Sequence, residues 1–440
     1  MARAWQPTRR PAALRVGVSP IVIFAAVATV ATGLVIRHAS GGLGTATPPF
    51  VMGWAPRLHA LALISVAGAA GAAILAPRLA RRPLTSLAFC AGVLALALAL
   101  GLAINLARSG VPGWYAIFDT GAGGSFEARN EYLPGLPALT YGTWFYLDHF
   151  AELVPSLPVN VAGHPPGPLL LVQALGISTA SGAAALCIAV GALGAPLTYV
   201  LARALHPESV ARAAAVLYAC CPLALLFGVT SFDYLYATLG LAAACLLVRR
   251  SVSARAAGAV ALALAALFSW ALLAIAAWAV VVVWRRDGAR HALAVAAGCA
   301  IAVIAVDGAL AVAYGYDPIG TLRATEAVYR NSIARQRPYA FWVFGSPVAW
   351  GVMLGVPIVL ATLRALRDRN DAAVALALVV VVAAVGGFTK AETERIWLFL
   401  VPLACVAAAT GGLSQRRLGV AVTALIAQAL VVQVLFDTVW

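Results

Sequence analysis

Two kinds of residue in this chain could do chemistry: a few carboxylates in polar breaks, and a few cations beside them. The stretch 108–163 interrupts an otherwise apolar sequence and carries Asp119, Glu127, Glu131, Asp148 and Glu152. A carboxylate held beside apolar helices can have its pKa raised enough to take a proton from a hydroxyl. Glu131, in Arg129-Asn130-Glu131-Tyr132-Leu133-Pro134, is the first candidate, with Asp119 and Glu127 as substitutes. The bland alternative for each acid is a solvated loop carboxylate. The stretch ends in His164-Pro165-Pro166-Gly167-Pro168, where three prolines and a glycine set the chain direction beside one titratable ring. His164 there could donate to a phosphate oxygen, or the motif could be only a turn.

A third polar break, Thr389-Lys390-Ala391-Glu392-Thr393-Glu394-Arg395, holds the only lysine of the chain. The planar guanidinium of Arg395 suits two phosphate oxygens at once, with Lys390 and Arg337 as helpers; a snorkelling Arg paired with Glu392 or Glu394 is the simpler reading. Asp233 and Asp307 fall at or within apolar stretches, where an acid is costly and is by default a functional hypothesis. Pairing of either with a loop arginine is the structural alternative.

The elements that must position these residues are membrane helices. The chain is 63% hydrophobic and only 10% charged over 440 residues, and repeated apolar runs of about 20 residues match a hydrocarbon core of roughly 30 Å. The expectation is an all-α, polytopic transmembrane bundle of 11–13 spans, a single integral-membrane domain over 1–440. Candidate spans lie near 17–36, 58–76, 85–107, 180–203, 209–228, 234–248, 256–268, 270–284, 292–313, 346–364, 372–388, 395–412 and 418–437. The first of these is read as a retained helix, not a cleaved leader. The run 256–284 has basic residues at both ends, which favours a hairpin turning at Phe268-Ser269-Trp270 over one long helix.

Positive-inside sorting puts the N-terminus in the cytoplasm and 20 of the 30 basic residues inside. The working face is then extracytoplasmic, with large loops at 108–163 and 314–345. An interfacial helix is expected near Trp144–Val154, and a short polar one over Gly320–Arg335. The net charge of +14 is dispersed between apolar runs, which excludes a nucleic-acid footprint. The seven cysteines lie in apolar segments without metal spacing and read as packing residues.

Glu131-Tyr132, His164-Pro165-Pro166 and Arg395-Ile396-Trp397-Leu398-Phe399-Leu400-Val401-Pro402 stand in an order that resembles the GT-C integral-membrane glycosyltransferases. The likeness is to the branch of protein O-mannosyltransferases and aminoarabinose transferases, which use polyprenyl-phosphate sugar donors. It covers about 60 residues of motif and is at class level. The family's acidic pair is Asn130-Glu131 here, and its acidic loop follows the third helix instead of the first. The resemblance implies transfer of mannose or arabinose to a glycolipid or glycan of the cell envelope, at the outer face of the plasma membrane. Glu131 would be the base, His164, Arg395, Lys390 and Arg337 would hold the donor phosphate, and Tyr132, Asp148 and Asp233 would contact sugar or acceptor. No cofactor is required, and a divalent cation (Mg or Mn) could bridge phosphate and carboxylates. The partners expected are donor, acceptor and membrane lipids, with no nucleic acid. The Ala-, Arg- and Val-rich composition suggests a GC-rich, actinobacterial genome. A transporter or flippase for an amphipathic, lipid-linked substrate is the competing class, with Asp307 on its path; a non-catalytic scaffold is the third.

Overall fold

The structure is a computed structural model that describes residues 18–40, 42–121 and 124–438; Arg3, Arg9, Arg10 and Arg15 of the charge sorting lie outside them. Helices dominate, and a two-stranded sheet pairs Gly53–Trp54 with Phe436–Asp437. Among the described residues, seven helices are long and apolar enough to cross a membrane. They match the stretches expected at 17–36, 58–76, 85–107, 180–203, 292–313, 395–412 and 418–437. The protein is thus an all-α, polytopic helical chain.

The other expected stretches form shorter or broken helices. Phe232–Leu247, Val252–Ala266 and Asp371–Gly386 are apolar helices of 10–17 residues, while 209–228 divides into Glu208–Ala219 and Pro222–Phe227. The run 256–284 breaks between Ala266 and Leu273. Arg255, early in Val252–Ala266, donates to Asp287 at the end of Leu273–Asp287 (2.6 Å), so the two helices are antiparallel.

One expectation is corrected. The stretch 346–364 is not one continuous helix: Tyr339–Leu354 and Val356–Arg367 meet at 113°. Gly355 stands at the corner with φ +102°, a conformation that favours glycine, and Pro357 lies just inside the next helix. Tyr339, Phe341, Trp342 and Phe344, which fall in the loop expected at 314–345, lie in the first of these helices.

Basic residues assigned to one side do gather at one end of the bundle. Arg250, Arg255 and Arg286 surround Asp287, whose carboxyl the Arg286 guanidinium holds down to about 2. Arg286 also donates to the Val248 carbonyl, just past the C-terminal end of Phe232–Leu247. Asp233 stands at the other end of that helix. Its 16 residues at a 1.5 Å rise separate the two charged layers by about 24 Å.

The loop 108–163 is a string of short helices. The interfacial helix expected near 144–154 is two pieces, Gly142–Asp148 and Phe150–Leu153, broken at His149, whose ring stacks on Phe145. Pro318–Asn331 is the polar helix of the second loop, capped by Asp317, and it packs on 150–156. The two loops therefore support each other.

Candidate functional site

The N-terminal end of Phe232–Leu247 is the meeting point. Ser231 caps this helix, accepting from Asp233 N (3.0 Å) and donating back to Asp233 Oδ2 (2.6 Å). Arg395 Nη1 donates to the same oxygen at 2.8 Å, from 162 positions away. Both partners are buried, with 7% exposure for Asp233 and 6% for Arg395. An isolated charge so placed would be very costly, and the pairing offsets that.

Arg395 belongs to a row of alternating charge. Its Nη2 approaches Glu392 Oε2 at 3.5 Å, and Glu392 Oε1 accepts from Arg337 Nη2 at 2.9 Å. The backbone that presents Glu392 is strained: Ala391 and Glu392 both have left-handed φ, +68° and +59°. Such a conformation costs about 1–3 kcal/mol per residue and survives only where surroundings impose it.

The loop supplies the other half. Glu131 is 1% exposed and follows the turn Ala128–Asn130. Asn160 Nδ2 donates to Glu131 Oε1 at 2.6 Å, and the Asn160 carbonyl takes Tyr132 Oη–H (3.1 Å) and His164 Nδ1–H (2.7 Å). Tyr236, on the Phe232–Leu247 helix, donates in turn to Tyr132 Oη. The Tyr132 ring meets Phe232 edge-on at 4.5 Å, so loop and helix share one aromatic contact. Tyr132 and Glu131 both lie within electrostatic range of Arg395.

A carbonyl can only accept, so the proton of neutral His164 is on Nδ1 and its Nε2 carries a lone pair. Burial pushes the imidazole below its ordinary range, with Asp233 acting the other way. Burial also drives the Tyr132 phenol well up, so it stays protonated and remains a donor. The turn that aims His164 is built by Gly167, whose N–H donates to the Leu267 carbonyl at 2.9 Å. A Cβ at Gly167 would collide with that carbonyl.

Of the residues singled out in the sequence, Glu131, Tyr132, His164, Asp233 and Arg395 come together. Arg337 joins through Glu392. Lys390 does not: its Nζ donates to the carbonyls of Ala334 and Arg337, fastening one loop to another. Asp119 is exposed and accepts from Gly121 N; Glu127 is half-buried one turn before Glu131. Asp148 pairs with His149 and lies against Gly315, at the end of Ala289–Tyr314. Asp307 is half-buried within that same helix.

Asn160, Ser231 and Tyr236 were missed by sequence reasoning. Among the described residues, no three His, Cys, Asp or Glu side chains are grouped to hold a metal ion. The arrangement offers two buried carboxylates, one imidazole lone pair, two phenols and a guanidinium. That set can bind an anion and move a proton. No protein-family model matches the chain, no curated protein matches it significantly, and no solved structure does.

Proposed function

We propose that this chain is a multi-pass membrane glycosyltransferase of GT-C type, moving mannose or arabinose from a polyprenyl-phosphate donor to an envelope glycolipid or glycan. The observation that carries the reading is the convergence of Glu131, His164 and Arg395, from three distant stretches, around Tyr132 and Asp233. A scaffold would have no need of charges buried at this cost.

In this reading the donor phosphate displaces Asp233 from part of the Arg395 guanidinium. Glu131 takes the proton of the acceptor hydroxyl as its oxygen attacks the anomeric carbon. The bond from that carbon to phosphate breaks, and polyprenyl phosphate leaves with the electron pair. Arg395 offsets its growing charge. His164 accepts through Nε2 when neutral and donates to phosphate once protonated. The site would face the extracytoplasmic side, and the shorter helices would complete 11–13 spans.

The 113° break at Gly355 favours the transporter reading, since discontinuous helices mark many transporters. One assay separates the two: transfer of labelled sugar from polyprenyl-phosphate donors, in membranes carrying wild type or Glu131→Gln. Label reaching glycolipid or glycan with wild type and lost with Glu131→Gln supports the transferase and its base. Transfer that survives the substitution moves the base to Asp119 or Glu127. No transfer from folded, purified protein, with donor crossing proteoliposomes instead, sinks the enzyme reading.

A further inference from the structure

We propose that the groove between the helices Ala62–Arg81 and Ser86–Ser109 binds one anionic phospholipid. It would come from the leaflet at the Arg78–Arg82 end. This inference is independent of the reaction proposed above.

The groove has a volume of about 460 Å³ and is lined by Gly68, Gly71 and Leu75 on one helix and by Gly92 and Ala99 on the other, with Arg78 and Arg82 at its end. Gly71, where a Cβ would meet nothing within 4 Å, leaves the slot open, while Gly68 and Gly92 let Ala103 and Leu79 of the opposite helix pack close. From Gly68 to Arg82 the groove runs about 21 Å at a 1.5 Å rise. That is the depth of one leaflet with its headgroup layer, half of a bilayer about 40–45 Å thick overall. Leu75 and Ile74 are exposed beside it, so an acyl chain enters sideways from the lipid.

The charge at the end selects the headgroup. Arg78 and Arg82 are exposed and, among the described residues, form no ion pair. Their neighbours Arg203 and Arg212 are instead both paired with Glu208. Arg212 also donates to the carbonyls of Arg82 and Leu84, which fixes the turn bearing the cations. Arg81, exposed in the last turn of the helix Ala62–Arg81, adds a third cation at this end. Cations at headgroup depth above an apolar slot favour a lipid with net negative charge over a zwitterionic one.

The test is native mass spectrometry of the full chain in neutral detergent, titrated with phosphatidylglycerol or phosphatidylcholine of identical acyl chains. One phosphatidylglycerol should bind at least tenfold more tightly than phosphatidylcholine. Gly71→Leu should weaken it at least tenfold by filling the slot; a Cβ at Gly71 has nothing within 4 Å, so the new side chain starts into open space. Arg78→Gln with Arg82→Gln should erase the preference for phosphatidylglycerol. Equal binding of both lipids, wild-type binding by Gly71→Leu, or a protein dimer that Gly71→Leu abolishes would each overturn the proposal. If a variant melts early, a photoactivatable phosphatidylglycerol on the wild type decides. Cross-links within 62–109 support the site, and cross-links elsewhere refute it.

Discussion

Asn160 holds Glu131 with its side chain, at 2.6 Å, and His164 with its carbonyl, at 2.7 Å. One residue therefore sets the position of both the buried acid and the buried imidazole. Its two roles are separable, because a side-chain substitution leaves the carbonyl in place.

Asn160→Ala should lower stability by about 1–3 kcal/mol, the usual cost of depriving a buried acceptor of its donor. Melting of the detergent-solubilised protein checks this. Asn160→Asp should cost more, because it sets a second carboxylate against Glu131. A wild-type melting temperature in both would show that the contact contributes nothing.

The Asp233–Arg395 pair calls for a double-mutant cycle. Asp233→Asn and Arg395→Gln should each destabilise by about 3–5 kcal/mol, since each leaves a buried charge with a diminished set of partners. The double substitution should cost clearly less than the sum of the two. Strict additivity would mean that the ion pair is energetically idle.

A pH series reads His164. Its folded pKa is pushed below the ordinary value of about 6.5, so the unfolded chain binds the proton more readily. The stability it contributes is present above pH 6.5 and is lost as pH falls through the lower, folded value. Between pH 7.5 and 5 the wild type should melt progressively earlier, and His164→Asn should flatten that slope. His206, also lowered by burial, retains part of it. Donor KM should move the opposite way, improving as acid makes the imidazolium. Identical slopes in wild type and variant would remove His164 from both roles.

Packing beside the site is tight at Gly191 and open elsewhere in the bundle at Gly298. A Cβ at Gly191 would strike the Tyr234 ring, which neighbours Asp233 on the same helix. Gly191→Ala should cost about 1–3 kcal/mol through overpacking. Gly298→Ala, where a Cβ meets nothing within 4 Å, should instead gain about 0.5–1 kcal/mol of helix stability. Melting temperatures that shift in the same direction would contradict the packing described.

Glu131, His164 and Arg395 were legible in the sequence because polar breaks in an apolar chain are conspicuous, and Asp233 because an acid at an apolar stretch is. Asn160 was not, since an amide between Pro158 and Val161 carries no pattern of its own, and its importance comes entirely from what folds against it. Tyr236 looked like one more aromatic of an apolar run. The corner at Gly355 did leave a signal, a glycine followed two residues later by proline, but continuous hydropathy outweighed it. Lys390 drew attention by being the only lysine, yet its ammonium is consumed by two carbonyls. Rarity identified the residue without identifying its task.

The 162 positions between Asp233 and Arg395 also have a meaning in time. A ribosome adding about 5–20 residues per second needs roughly 8–30 s to travel from one to the other. Throughout that interval Asp233 has left the ribosome while its guanidinium does not yet exist. The first nine-tenths of the chain must therefore assemble around an acid still waiting for its guanidinium, and arrival of the last tenth supplies it. Chains truncated before residue 395 should be recognised as unfinished by the cell's membrane quality control, whatever the soundness of the helices already inserted.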